Sequence, residues 1–96
     1  MPWDPSENVK LSIIIVNYNV RFFLEQAIRA AWKASTNLEC EIIVVDNAST
    51  DGSKEMVESS FPNIQYIYLE GNLGFSKANN VGIKASQGEY VLLLNP

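Results

Sequence analysis

The fold of this chain is decided by the stretch Leu11-Ser12-Ile13-Ile14-Ile15-Val16-Asn17-Tyr18-Asn19. It opens with an apolar run rich in β-branched residues and closes with three residues that favour a turn. Such a continuous run is typical of a strand that is buried on both faces of a parallel sheet. A second run, Glu41-Ile42-Ile43-Val44-Val45-Asp46, has the same character and also ends in a polar turn. These two runs predict the central strands of a parallel sheet.

Helical and extended segments alternate along the chain. The periodicity predicts helices over residues 20–35, 51–60 and 75–85, and further strands over 64–69 and 90–94. The resulting order, β-α-β-α-β-α-β, is typical of a three-layer α/β fold with a parallel sheet. Right-handed crossovers favour the strand order 3-2-1-4, with the third strand at an edge. Such sheets bind ligands beyond the carboxyl ends of the strands, where the order reverses.

The composition excludes several classes of function. The 96 residues include 7 Lys and Arg, 11 Asp and Glu, one Cys and no His, for a net charge of −4. Without a basic cluster, nucleic acid is not an expected partner. Without His, a Ser-His-Asp or Cys-His mechanism is excluded, as is a Cys/His zinc site. No apolar run approaches the ~20 residues of a membrane span, and no signal peptide is visible, so we expect a cytoplasmic protein with residues 1–10 as a flexible lead-in.

Four segments together resemble family 2 glycosyltransferases, and the third is most similar to the rhamnosyltransferase-type branch. They are Ser12–Asn19, Val44–Gly52, Asn72–Ile83 and Gly88–Pro96. The resemblance implies that residues 11–96 form the N-terminal, nucleotide-sugar-binding part of an incomplete GT-A (Rossmann-like) domain. It also implies an inverting enzyme that transfers a sugar from a UDP- or dTDP-type donor to a hydroxyl group of a polysaccharide, glycoconjugate or lipid-linked acceptor. Neither the sugar nor the acceptor follows from these residues.

The resemblance places the donor nucleotide at the ends of the first two strands. Val16, Asn17 and Tyr18 would supply backbone hydrogen bonds and an aromatic wall for the base, although Tyr18 would equally well cover the sheet end. A carboxylate at Asp46 would accept the N3–H of uracil or thymine. Alternatively, Asp46 or Asn47 caps the polar turn, as such residues often do. Both roles are compatible if Asp46 contacts the base while Ser49 or Thr50 caps the next helix.

A third candidate segment is the loop Asn72-x-Gly74. It resembles an anion-binding turn but lacks the dinucleotide-binding and P-loop patterns. The resemblance places it beneath the nucleotide, next to the sugar pocket. Many relatives carry Arg at the position of Asn79, which leaves Lys77 as the local cation, or as a solvated helix residue. Gly82, inside the same helix, is expected to let that helix approach the sheet.

The fourth strand ends at Asn95-Pro96. In the family, an Asp-x-Asp-like pair that binds Mg²⁺ or Mn²⁺ follows at once, and the general base lies further on. We therefore predict no catalytic residue and no metal ligand within these residues, and an inactive fragment of a metal-dependent enzyme at the inner face of the membrane. The strand Tyr90–Leu94 is expected to be an exposed apolar edge that promotes self-association.

Two other interpretations use the same fold. A non-enzymatic flavodoxin-like or receiver-like domain would bind a partner through its strand ends, with Asp46 as a lone acidic residue. A receiver also needs clustered carboxylates, whereas the first strand ends in Asn17-Tyr18-Asn19. Nucleotidyltransferases of related fold usually carry a glycine-rich loop with arginine after the first strand, and this chain has none there. Both observations favour the glycosyltransferase interpretation.

Overall fold

The computed structural model describes residues 9–35 and 39–94. Four strands alternate with three helices in the predicted order. The elements are β1 (Val9–Asn17), α1 (Arg21–Ala34), β2 (Cys40–Asp46), α2 (Ser53–Ser60), β3 (Gln65–Tyr68), α3 (Phe75–Ala85) and β4 (Gly88–Leu94). The predictions for residues 1–8, for the connector 36–38 and for residues 95–96 lie outside the described residues.

The strands form one parallel sheet in the order β3-β2-β1-β4, which confirms the predicted topology. The two most apolar strands occupy the centre, where both faces are covered. Their register runs from Leu11 opposite Cys40 to Asn17 opposite Asp46. Because the strands are parallel, the residues that follow β1 and β2 emerge side by side at one edge of the sheet.

Alternation along the strands divides the core into two layers. One layer lies between the sheet and helices α1 and α2, and the other lies between the sheet and α3. The first contains Ile13, Ile15, Leu24, Ile28, Ile42, Val44 and Val57, and the second contains Ile14, Val16, Ile43, Val45 and Ala78. Burial on both faces explains why β1 and β2 are apolar throughout rather than alternating.

Helix α3 lies very close to the sheet at Gly82, as the sequence predicted. A Cβ atom at this position would be 2.5 Å from Ile14 Cγ2 and 3.2 Å from Val45 Cγ2. Only glycine permits this approach without displacing the buried side chains. The contact fixes the height of α3 above the sheet and therefore the position of the loop that precedes it.

Strands β1 and β4 each begin earlier than the sequence predicted. Strand β1 begins at Val9 rather than Leu11, because the N–H groups of Lys10 and Leu11 both donate to the Glu39 carbonyl, at 2.8 and 3.0 Å. Strand β4 begins at Gly88 rather than Tyr90, because Gly88 lies opposite Val9 in the register of β1 and β4, and its N–H also donates to Ser12 Oγ at 2.8 Å. These bonds join chain segments that are distant in sequence, so local pattern did not reveal them.

Two helical details also differ. Helix α2 begins at Ser53, whereas the prediction started it at Asp51; Asp51 stays outside the helix and uses its side chain as a hydrogen-bond acceptor. The helical period places Trp32 on one face of α1 with Leu24 and Ile28, but Trp32 is 45% exposed whereas the other two are fully buried. None of the helices in the described residues is long and apolar enough to cross a membrane.

Candidate functional site

A cleft of about 360 Å³ opens at the carboxyl edge of the sheet, on the side covered by α3. It is lined by Val16, Tyr18, Val20, Asn47, Asn72, Gly74 and Phe75. Five of these residues were predicted site residues. Val20 and Phe75 were missed because each stands at a helix start and was assigned to the helical pattern. An apolar residue directly after a polar turn at a strand–helix junction is the signal that would have found them.

The walls of the cleft are aromatic and its floor is polar. Tyr18 and Phe75 are each 49% exposed, although both are large apolar side chains. Asn47, only 3% exposed, supplies an amide group at the floor, and the exposed Asn72 supplies a second amide to the lining. Aromatic side chains bind flat rings by stacking, and a few fixed polar groups then orient the ring. The chemistry of this cleft therefore suits a planar, hydrogen-bonding ligand such as a nucleobase.

Asn47 joins the loop after β2 to the loop before α3. Its Oδ1 accepts the N–H of Leu73 at 3.1 Å, and its Nδ2 donates to the Gly74 carbonyl at 3.3 Å. The second loop is also held by Asn72, whose Oδ1 accepts the Gly74 N–H at 2.8 Å. Gly74 has φ 86° and ψ 169°, a conformation essentially confined to glycine. These contacts set the distance between the two loops that border the cleft.

Asp46 is fully buried and does not line the cleft. One carboxylate oxygen accepts the Ser49 N–H at 2.8 Å, and the other accepts the hydroxyl group of Tyr66. Asp46 therefore caps the polar turn, which was one of the two roles predicted for it. Burial and this hydrogen bond to Asp46 raise the pKa of the Tyr66 hydroxyl above its usual range. Contact between Asp46 and a base would require one of these partners to leave.

Ser49 does not cap α2, contrary to the prediction. Its hydroxyl oxygen accepts the Asn19 N–H at 2.8 Å and Asn17 Nδ2 at 3.1 Å, which ties the turn to the end of β1. Its carbonyl accepts the hydroxyl of Tyr68 at 3.0 Å. Asn17 is fully buried, and among the described residues its Oδ1 has no hydrogen-bond partner. Asn17 and Ser49 thus form a buried support beneath the edge and not a wall of the cleft.

Asp51 takes over the capping role, and it serves two helices. One oxygen accepts the Arg21 N–H at the start of α1, at 2.9 Å, and the other accepts the Ser53 N–H at the start of α2, at 3.1 Å. Partial burial alone would raise the pKa of Asp51. The hydrogen bonds from the Ser53 hydroxyl and from these backbone N–H groups outweigh it and lower the pKa. The carboxylate therefore holds both helix starts at this edge of the sheet.

Comparison with known proteins assigns the family. The sequence model described as "Glycosyl transferase family 2" matches residues 12–96. The chain belongs to this family. TuaG of Bacillus subtilis (strain 168), a glycosyltransferase whose name assigns it to teichuronic acid biosynthesis, is 33% identical over 96 residues, which is 97% of this chain and 36% of TuaG. Family membership disfavours the flavodoxin-like and receiver-like interpretation.

Solved structures of glycosyltransferases share the fold. The crystal structure of Staphylococcus aureus TarS 1-349 in complex with UDP has a TM-score of 0.78 and 33% identity, over 90% of this chain and 27% of that one. The mannosyltransferase PcManGT from Pyrobaculum calidifontis, in complex with GDP-Man and Mn²⁺, has a TM-score of 0.76 and 24% identity. It covers 99% of this chain and 30% of that one, and at this identity it supports the fold alone. The chain thus spans about a third or less of the length of these relatives.

Besides Asn17, Asp46 and Ser49, two further predicted site residues stand apart from the cleft. Lys77 is exposed and Asn79 is buried, and both belong to α3. Neither is among the residues that line the cleft. Their contribution to donor binding stays a prediction, as does the rhamnosyltransferase-type branch.

The family also implies a divalent metal, which the described residues do not fit. Among residues 9–35 and 39–94, no group of three or more Cys, Asp or Glu side chains is placed to hold a metal ion. The carboxylates of Asp46 and Asp51, which follow β2 at this edge of the sheet, accept hydrogen bonds from N–H and O–H donors. A cation at either carboxylate would have to displace these donors, so we assign no metal ligand here.

Proposed function

We propose that this chain is the nucleotide-binding part of a glycosyltransferase that uses a nucleoside diphosphate sugar as its donor. The observation that carries the proposal is the cleft at the carboxyl edge, beside the point where the strand order reverses. Ligands of open α/β sheets bind at this point. The solved relative TarS, which is 33% identical to this chain, was crystallised with UDP. The cleft and the relative independently favour a nucleotide as the ligand.

The proposed base site lies between Tyr18 and Phe75. Stacking on aromatic rings recognises any base, so the choice of base must come from polar groups. Beyond its bonds to Leu73 and Gly74, the Asn47 amide keeps one N–H and one oxygen lone pair for a ligand in the cleft. We retain the preference for uracil or thymine, with a donor of the UDP or dTDP type. Direct recognition of the base by Asp46 is the alternative to this arrangement, and the two are distinguished below.

The proposed reaction is an inverting transfer of the sugar to a hydroxyl group of a polysaccharide, glycoconjugate or lipid-linked acceptor. Two relatives support this acceptor class by name: TuaG, and TarS, a poly(ribitol-phosphate) β-N-acetylglucosaminyltransferase. We also propose a Mg²⁺ or Mn²⁺ requirement, met by ligands outside the described residues, and action at the cytoplasmic face of the membrane.

The donor-site proposal is tested by titrating the isotopically labelled 96-residue chain with UDP, dTDP and GDP, each with and without Mg²⁺. We expect amide shifts at residues 16–18, 46–49 and 72–75, stronger for UDP and dTDP than for GDP, and insensitive to Mg²⁺. Tyr18→Ala should abolish them, whereas Tyr90→Ala, an equal truncation on β4, should not. An absence of shifts at millimolar nucleotide, or identical shifts in Tyr18→Ala, would contradict the proposal.

We also propose that the chain self-associates through β4. Among the strands of the described residues, β4 pairs with β1 on one side and is the edge of the sheet on the other. Its residues Tyr90, Val91, Leu92 and Leu93 are 41–64% exposed, so apolar side chains and unpaired backbone groups coincide. Such an edge is a template for pairing with a second copy. Apolar side chains add to the gain, because pairing removes them from water.

Sedimentation velocity over a range of concentrations tests this proposal. The chain is expected to form dimers as the concentration rises. Leu92→Lys should keep it monomeric, because a charge on an edge strand opposes pairing. Phe22→Lys alters an exposed apolar residue away from β4 and should leave the dimer intact. A purely monomeric profile at high concentration refutes self-association.

A further inference from the structure

The turn from Asp46 to Ser49 contains a strained residue. Ala48 has φ 69°, in the left-handed region, which costs a residue with a Cβ atom roughly 1–2 kcal/mol. Asn47, whose side chain borders the cleft and joins the two loops, directly precedes it. Relaxation of Ala48 to an ordinary conformation would redirect the chain at Asn47. The orientation of Asn47 therefore depends on whatever holds this turn closed.

The turn is held closed by the carboxylate of Asp46, which accepts the Ser49 N–H across Asn47 and Ala48 at 2.8 Å. This carboxylate is itself fully buried, and a buried charge is stable only when its hydrogen bonds are satisfied. The second oxygen finds its donor in the Tyr66 hydroxyl. The two oxygens belong to one rigid carboxylate group. A donor that fixes one oxygen therefore also fixes the rotation of the group and the position of the other oxygen.

Strand β3 supplies this donor from a position set by the sheet. Tyr66 is opposite Val44 and Tyr68 is opposite Asp46 in the register of β2 and β3. Residues two apart on a strand share a face, so both hydroxyls reach the same turn. Tyr66 bonds the carboxylate that closes the turn, and Tyr68 bonds the carbonyl at its far end at 3.0 Å. Neither tyrosine lines the cleft.

We propose that Tyr66 is a positioning residue for the nucleotide cleft. Its hydroxyl holds the Asp46 carboxylate in the orientation that closes the turn, and the closed turn holds Asn47 at the floor of the cleft. Tyr68 is a second, weaker brace, because it bonds a neutral carbonyl group and not the carboxylate. This inference rests on the proposed nucleotide-binding function of the cleft.

The inference and direct base recognition by Asp46 predict different changes in UDP affinity for the substitution Tyr66→Phe. Tyr66→Phe removes the hydroxyl and little else. If Tyr66 positions the turn, UDP affinity falls, by about three- to tenfold for the loss of one hydrogen bond. If Asp46 instead reads the base, Tyr66 competes with the base for the carboxylate. Removing the hydroxyl would then leave the affinity unchanged or raise it.

The experiment measures UDP binding to the 96-residue chain and to Tyr66→Phe by NMR titration, at a temperature where urea unfolding shows both to be folded. Tyr90→Phe, the same chemical change on an exposed residue of β4, is the matched control and should bind like the unaltered chain. Amide exchange without nucleotide is the second readout. Exchange at Ser49 should be faster in Tyr66→Phe and unchanged in Tyr90→Phe.

Several results would overturn the inference. A Tyr66→Phe variant that is less stable but binds UDP normally, with normal exchange at Ser49, assigns Tyr66 a merely structural role. If that variant does not fold, Tyr68→Phe replaces it, with a smaller change of the same sign expected. An unaltered chain that binds no UDP refutes the proposed function and this inference together. If the unaltered chain, Tyr66→Phe and Tyr68→Phe all bind UDP normally, this inference is refuted but the proposed function is not.

Discussion

Replacement of Gly82 by alanine should destabilise the domain, although alanine is the better helix former. In a helix interior the exchange gains about 1 kcal/mol. The new Cβ atom would lie 2.5 Å from Ile14 Cγ2, whereas carbon atoms in contact are normally about 3.5–4.0 Å apart. Ile14 is fully buried and β-branched, so it has little freedom to rotate away.

The cost of the overlap follows from the way it must be relieved. Val45 Cγ2 stands 3.2 Å from the same position, so α3 cannot shift sideways without meeting a second buried side chain. Overpacking of a dense core costs typically 1–3 kcal/mol, and an overlap of about 1 Å belongs at the upper end. Subtracting the gain in helix propensity leaves a net loss of about 1–2 kcal/mol for Gly82→Ala.

Urea unfolding followed by circular dichroism measures this loss. Gly71→Ala is the matched control, because no atom lies within 4 Å of its added Cβ. Its stability should change by less than about 0.5 kcal/mol. Ile14→Ala removes the side chain that the added methyl group would strike, so the double variant should lose at least about 1 kcal/mol less than the sum of the single losses. A Gly82→Ala chain as stable as the unaltered chain would refute the reasoning.

Three further changes test other contacts. Ser12→Ala should lower the free energy of unfolding by about 1–3 kcal/mol. The buried hydroxyl accepts the Gly88 N–H and donates to Glu41, so the substitution leaves that N–H without its partner. Gly88→Ala should lower the free energy of unfolding by about as much, since its Cβ would lie 2.7 Å from the Ser12 backbone nitrogen. Near-normal urea midpoints for these two variants would contradict both predictions. Asp51→Asn should cost about 1 kcal/mol at neutral pH. Because the folded-state pKa of Asp51 lies below the unfolded value near 3.8, its contribution is full above that value and is lost as the pH falls through the folded-state pKa. A stability difference between Asp51→Asn and the unaltered chain that stays constant from pH 7 to strongly acidic pH would contradict this assignment.

The sheet was predictable because its determinants are local. Two continuous apolar runs mark the strands that are buried on both faces, and the alternating segment with Tyr66 and Tyr68 marks an edge strand. Short links and right-handed crossovers then leave few strand orders, and the observed order is the expected one. The close approach at Gly82 was also readable, since glycine inside a helix needs a packing reason.

The hydrogen-bond network beneath the site was not predictable, because most of its partners are 19 to 32 residues apart in sequence. Asp46, Asn17 and Ser49 are polar residues at strand ends, and this pattern alone does not tell whether they face a ligand or one another. Pairing of Asp46 with Tyr66 requires the register of β2 and β3 to be known. The contact of Asp51 with the start of α1 was not predictable for the same reason, and so its role as a cap shared by α1 and α2 was missed.

The consecutive residues Asp46 and Asn47 illustrate how the fold separates support from binding. Side chains alternate between the faces of a strand, so Asp46 turns toward α1 and α2 with Tyr66, and Asn47 turns toward α3 with the loop at Gly74. The Asn47 N–H still donates to the Asn17 carbonyl at 2.9 Å, so the strand geometry extends one residue beyond β2. A register shift of one residue would exchange the two roles. It would leave a carboxylate at the cleft and an amide beneath the turn. The register of β1 and β2 therefore decides which polar side chain of this pair a ligand can meet.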